Sequence, residues 1–174
     1  GSMAGAGNLI SGNAGAGVFL IQADYVGIYG NLIGTQPDGA SPLPNGGTGV
    51  QLSSSTHDNI IGGLDPGQGN VIAYNATGVS IGVVDYYNKV RGNSIRDNAG
   101  KGIALADNQN NTVSTPTITG VAPLSGTTCP NCQVDIYSDF ADEGDTYEGT
   151  VLANAAGHWS FNGAVSGPNA TTVA

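Results

Sequence analysis

One phrase recurs four times in register and restricts the fold more than any other feature of the chain. It reads Gly-Asn-x-Ile, then a polar turn, then Gly followed by two apolar residues at alternate positions. Gly7-Asn8-Leu9-Ile10 leads through Asn13 to Gly17-Val18-Phe19-Leu20. Gly30-Asn31-Leu32-Ile33 leads, after an insertion, to Gly49-Val50-Gln51-Leu52. Gly69-Asn70-Val71-Ile72 leads through Asn75 to Gly78-Val79-Ser80-Ile81. Gly92-Asn93-Ser94-Ile95 leads through Asn98 to Gly102-Ile103-Ala104-Leu105. A third apolar element follows in each period: Val26-Gly27-Ile28, Asn59-Ile60-Ile61, Asn88-Lys89-Val90 and Asn111-Thr112-Val113.

Asn8 to Asn31 is 23 residues and so is Asn70 to Asn93, whereas Asn31 to Asn70 is 39. The extra length lies in two turn-rich stretches, 36–47 and 63–68, whose Pro, Gly, Asn and Asp read as surface excursions. Asn45 falls in the first of these, where an alanine should cost well under about 1 kcal/mol, as surface changes do. Alternation of apolar residues indicates a strand with one buried face. Three such short strands per period cannot bury that face alone, but stacked on like neighbours they can. The register predicts that Ile10, Val18, Leu20, Ile28, Ile33, Val50, Leu52, Ile61, Ile72, Val79, Ile81, Val90, Ile95, Ile103 and Leu105 share one inner column.

Residues 7–113 resemble the right-handed parallel β-helix family. The likeness rests on Asn8, Asn31, Asn70 and Asn93, each preceded by Gly and followed two residues later by Ile. The resemblance implies that these asparagines stack as a ladder, each amide bonding to the next. Asn suits the role because it tolerates left-handed backbone angles and stacked amides satisfy one another. The family includes polysaccharide lyases and hydrolases, so the resemblance also raises catalysis. A polygalacturonase-like site would need Asn-x-Asp, Asp-Asp, Gly-His-Gly and Arg-x-Lys segments, and the sequence has none. A pectate-lyase-like site would need a calcium-binding carboxylate cluster beside a basic residue. Asp24, Asp58 and Asp85 stand at roughly corresponding places before the third strand, with Lys89 and Arg91 after Asp85. Two suitably spaced carboxylates would also serve an inverting glycosidase, but acids near turns are commonly solvated turn formers.

The repeat stops after Val113. Residues 114–174 have a different grammar: Val134/Ile136, Val151 and Trp159/Phe161 alternate, and Gly126, Gly144-Asp145, Gly157 and Gly163 mark turns. The segment from Cys129 to Phe161 resembles bacterial immunoglobulin-like surface modules, through Val-x-Ile-Tyr and Gly-x-Trp-x-Phe. The expected architecture is therefore all-β: about four coils of a right-handed parallel β-helix over 7–113, then a small antiparallel β-sandwich over 114–174. That second segment is short beside the roughly 100 residues of an immunoglobulin domain. Gly1-Ser2-Met3 reads as a cloning scar. The first repeat begins with no capping segment, which suggests a piece of a longer repeat region; both ends look trimmed, and the first coil is open to end-to-end self-association.

The formal charge is −9, and Lys and Arg together number four. So acidic a chain lacks the basic footprint that nucleic acid requires. No run approaches the length of a membrane span. The four cations, Lys89, Arg91, Arg96 and Lys101, read either as an anion or acidic-sugar contact or as charge balance near Asp85, Asp97 and Asp107. Cys129-Pro130-Asn131-Cys132 lacks the second ligand pair of a structural zinc site. It precedes a strand rather than opening a helix, unlike a redox dithiol. A disulfide across a tight turn, and hence an oxidising exterior, is the first reading; free thiols are the second. Asp139, Asp142, Glu143, Asp145 and Glu148 gather in one loop, either as calcium ligands or as solvated acids. His57 and His158 are lone histidines and read as structural.

Taken together, these features describe a structural or adhesive piece of an extracellular or cell-surface protein, with no catalytic residues and no cofactor other than a possible calcium. Polysaccharide processing and carbohydrate binding without turnover are the alternatives, with a polysaccharide or surface glycan as partner. For a glycan, Tyr25, Tyr86 and Tyr87, with Lys89 and Arg91, are the candidate surface. Tyrosine can stack on sugar rings and also packs readily at strand edges; Tyr29 and Tyr74 are lesser candidates.

Overall fold

A computed structural model describes residues 1, 3, 5–106, 110, 115–140 and 143–173. It divides into two compact units, Gly1–Asn111 and Thr112–Ala174. All described regular structure is β, and no helix among the described residues is long and apolar enough to cross a membrane.

The first unit is a parallel solenoid of three sheets. Strands β1 (Leu9–Ile10), β4 (Leu32–Ile33), β7 (Val71–Ala73) and β10 (Ser94–Arg96) form one. Strands β2 (Val18–Ile21), β5 (Thr48–Ser53), β8 (Thr77–Ile81) and β11 (Ile103–Leu105) form the second. Strands β3 (Gly27–Ile28), β6 (Ile60–Ile61) and β9 (Lys89–Val90) form the third. Pairing is parallel and matches the repeat: Ile33 with Ile72, Ile72 with Ile95, Val50 with Val79, Val79 with Ile103.

This register carries one set of alternate side chains inward. Ile28, Ile33, Val50, Leu52, Ile61, Ile72, Val79, Ile81 and Ile95 are buried together, and Ile10, Val18, Leu20, Val26, Val90 and Ile103 pack against them. Each full burial of such a side chain favours the fold by about 1.5–3 kcal/mol. Leu105 is the exception to the expected column. It pairs in register with Ile81 but is 52% exposed, because β11 has a neighbour on one side only. Coils stack closely enough to require glycine: a Cβ on Gly78 would lie 2.3 Å from the Gly102 carbonyl oxygen.

Three asparagine ladders run along the solenoid. In the first, Asn8 Nδ2 donates to Asn31 Oδ1 at 3.0 Å, Asn31 to Asn70 at 2.9 Å and Asn70 to Asn93 at 2.8 Å. A second joins Asn13 to Asn45 at 2.8 Å, Asn45 to Asn75 at 2.9 Å and Asn75 to Asn98 at 3.3 Å. Asn45 is thus no surface residue of the 36–47 excursion; it is 2% exposed and a rung of this ladder. A third runs through Asn59 and Asn88, with the Asn88 backbone N–H donating to Asn110 Oδ1 at 2.7 Å. Asn110 therefore takes the place that the repeat alignment assigns to Asn111; residues 111–113 lie outside the described residues.

The second unit packs two antiparallel sheets. One holds β12 (Thr117–Val121), β13 (Leu124–Thr127) and β16 (His158–Phe161), in that order. The other has β15 (Thr146–Leu152), β14 (Gln133–Asp139) and β17 (Asn169–Val173), in that order. Leu124, Val134, Ile136, Ala153 and Trp159 form its core. Gly126 is not a turn. It lies within β13 opposite Trp159, where a Cβ would approach the indole to 2.6 Å.

Candidate functional site

The turn from the second sheet to the third is the best-defined exposed feature of the solenoid. The third ladder fixes where each coil leaves it. Val26 N–H donates to Asn59 Oδ1 at 2.8 Å, and Asn59 N–H donates to Asn88 Oδ1 at 3.1 Å. Asn59 Nδ2 also donates to the carbonyls of Ala23 and His57, each at 2.9 Å. Asp85 braces the turn from inside. It is 1% exposed, and its two oxygens accept the backbone N–H groups of Thr56 and Gly82 at 2.8 and 2.9 Å.

Two positions on this turn then stack from coil to coil. Asp24, His57 and Tyr86 are joined by parallel bridges and form one column. The next residues, Tyr25, Asp58 and Tyr87, form a second, and all three have left-handed backbones with φ of 59°, 54° and 56°. Asp adopts that region readily, whereas a bulky side chain there is unusual. The three carboxylates expected at one equivalent place thus occupy three successive ones. Asp85 stands before the bridged column, Asp24 in it and Asp58 after it.

The rings of these columns are ordered. His57 and Tyr86 lie nearly parallel, at 14° with centroids 4.6 Å apart. Tyr25 crosses His57 at 85° and Tyr87 crosses Tyr86 at 80°. The outer tyrosines therefore stand upright to the central stack, and they are 80% and 58% exposed. Two coils separate them, about 9.6 Å at the usual strand spacing of about 4.8 Å. His57 is held on both sides: Nε2 lies 3.1 Å from Asp24 Oδ1 and Nδ1 lies 2.9 Å from Asp58 Oδ2. Only an imidazolium can donate both bonds, since a neutral ring has one donor.

Lys89 and Arg91 sit beyond this turn. Lys89 is exposed on β9 beside Ile60, and Arg91 follows it, half-buried. Arg96 is engaged elsewhere. Its guanidinium donates to the Gly39 carbonyl, lies 3.0 Å from Asp97 Oδ2 and stands over the Tyr74 ring, holding the 36–47 excursion to the body. Tyr74 adds a 2.7 Å bond to the Ala40 carbonyl.

In the acidic loop of the second unit, Asp139 and Glu148 are bonded within the protein. Asp139 is buried, and its Oδ2 accepts the Gly144 N–H at 2.8 Å and the Thr171 hydroxyl at 3.2 Å. Glu148 accepts the Ser138 hydroxyl and the Ser166 N–H, and the Ser138 bond first, then the Ser166 bond, hold its carboxyl below the usual range. Asp142 lies outside the described residues. Among the described residues no group of three or more His, Cys, Asp or Glu is placed to hold a metal. Cys129 and Cys132 are joined as a disulfide, with Cα atoms 5.4 Å apart, across a turn that Asn131 enters with φ of 60°.

His57 is the site residue that sequence reasoning passes over. Its signal was present: aligning Val26, Asn59 and Asn88 and stepping back two residues brings Asp24, His57 and Tyr86 together.

The sequence matches a family model described as "Right handed beta helix region" over residues 5–141. That match extends past the last parallel strand, β11, into the antiparallel strands that follow. No curated protein and no solved structure matches the chain significantly.

Proposed function

The chain belongs to the right-handed β-helix family, and from that premise we propose that it is a non-catalytic recognition piece of an extracellular protein, binding a polysaccharide along the Tyr25–Asp58–Tyr87 column. One observation carries the reading: two exposed tyrosines occupy the same turn position two coils apart, both upright to the stack between them. A sugar chain running along the solenoid would meet both rings. The left-handed backbone at Tyr25 and Tyr87 supports this, because costly conformations at bulky residues concentrate at functional sites.

The placement of the acids supports a reading without turnover. Asp85, four residues before Lys89, is buried with both oxygens on backbone N–H groups. Asp24 and Asp58 each face His57. The Cys129–Cys132 disulfide favours an oxidising exterior. The second unit serves as an immunoglobulin-like spacer. Its sheet orders, β12-β13-β16 and β15-β14-β17, follow the A-B-E and C′-C-F orders of that fold.

A glycan array tests the proposal. The wild type should bind a polysaccharide family, Tyr25→Ala/Tyr87→Ala should not, and both should show the same far-ultraviolet circular dichroism. Equal binding by the two proteins would place recognition elsewhere.

A further inference from the structure

Resting on that reading, we propose that the polymer is cationic: an amino-sugar polysaccharide with free ammonium groups. Asp58 lies between Tyr25 and Tyr87 in the column, so the surface alternates ring, carboxylate, ring. Its Oδ2 faces His57, and Asp24 faces the same ring with Oδ1. Among the described residues no bond is made to the other oxygen of either carboxylate, and the side chains are 38% and 39% exposed. Each therefore retains an outward acceptor.

Two carboxylates face one imidazole, so the site stays anionic whether or not His57 is charged. An ammonium group at Asp58 would gain a charge-assisted hydrogen bond. The chain's charge of −9 draws a polycation toward the column and repels a uronate polymer. A neutral polymer could stack on the tyrosines but would leave both outward oxygens to water.

The test is calorimetric titration with three oligosaccharides of equal length: glucosamine, N-acetylglucosamine and galacturonate. The glucosamine oligomer should bind at least about tenfold more tightly than the acetylated one, the size of one charge-assisted contact. Asp58→Asn should abolish that preference; Asn tolerates the left-handed backbone at 58. Asp65→Asn, which removes the same charge from the exposed 63–68 turn, should retain it. The proposal fails if the acetylated or galacturonate oligomer binds as tightly, or if Asp65→Asn erases the preference as fully as Asp58→Asn. Tyrosine-dependent binding without an amine preference would overturn this inference and leave the recognition reading standing. A complete lack of binding by the oligomers and by the polymers of the array would overturn both.

Discussion

Asn45 and Asn75 are 30 residues apart in sequence and joined side chain to side chain, Nδ2 to Oδ1 at 2.9 Å. Asn45 Nδ2 also donates to the Ile10 carbonyl at 3.1 Å, and its Oδ1 accepts the Asn13 amide at 2.8 Å. One residue at the foot of a Pro/Gly-rich loop thus ties three coils together.

Asn45→Ala is therefore expected to destabilise the solenoid. It leaves Asn13, Ile10 and the buried Asn75 without their bonds, and a buried group so orphaned costs about 1–3 kcal/mol. Urea midpoints read by circular dichroism should fall for Asn45→Ala about as far as for Asn70→Ala. Stability in a repeat array is shared between nearest neighbours, so fluorescence of Trp159, the one tryptophan, should report an unchanged second unit. An unchanged midpoint for Asn45→Ala would refute the second ladder.

The inner column was legible because side chains in a strand alternate with a period of two, so a four-fold register fixes which face is buried. Ile33, Ile72 and Ile95 lie as the repeat predicts. Asn45 was not legible. The insertion stretches its spacing from Asn13 to 32 residues, against 23 between Asn75 and Asn98. A ladder depends on stacking in space, which an insertion leaves intact while hiding it from the alignment. Tyr25, Tyr86 and Tyr87 could be picked out as aromatic residues near strand edges. Their crossing angles with His57 and with one another could not, because each partner ring belongs to a different coil or to an adjoining turn residue. Gly126 read as punctuation, although the Thr117 carbonyl and the Trp159 indole are what exclude a side chain.

Replacing either exposed tyrosine by glycine should separate binding from stability. A left-handed backbone costs a non-glycine residue about 1–2 kcal/mol, while glycine costs about 0.5–1 kcal/mol in chain entropy. Tyr25→Gly and Tyr87→Gly should each keep or raise the urea midpoint while weakening glycan binding. A loss of unfolding free energy of more than about 1 kcal/mol, beyond that entropic cost, would mean that the rings hold the turn together.

Glu148 makes the second unit sensitive to acid. Its carboxyl is lowered from 4.5 by the Ser138 and Ser166 bonds, so the charged form is preferred in the folded state. The contribution is present above 4.5 and is lost as pH falls through the lower folded value. Trp159 fluorescence during urea unfolding should show stability falling with acid, and Glu148→Gln should flatten that fall. Identical slopes for the two proteins would remove Glu148 from the account.

The Cys129–Cys132 bridge closes a short loop, worth about 2 kcal/mol in chain entropy. Reduction should add the mass of two hydrogens to the intact protein. Cys129→Ala/Cys132→Ala should lower the Trp159-detected midpoint and leave the solenoid transition in place. A wild-type mass that does not change on reduction would mean that the thiols are free.

The most direct test of the recognition column compares chain lengths. Tyr25 and Tyr87 are about 9.6 Å apart at the usual coil spacing, so a disaccharide can engage one ring and a longer oligomer both. Dissociation constants should be measured for wild type, Tyr25→Ala and Tyr87→Ala with both ligands. Linked contacts strengthen binding well beyond either alone, so each single change should weaken the long oligomer by about tenfold or more. The disaccharide, with one equivalent ring remaining, should lose no more than about twofold, the statistical factor for halving two equal sites. A long oligomer that binds Tyr25→Ala as tightly as the wild type would show that the two rings do not act on one ligand.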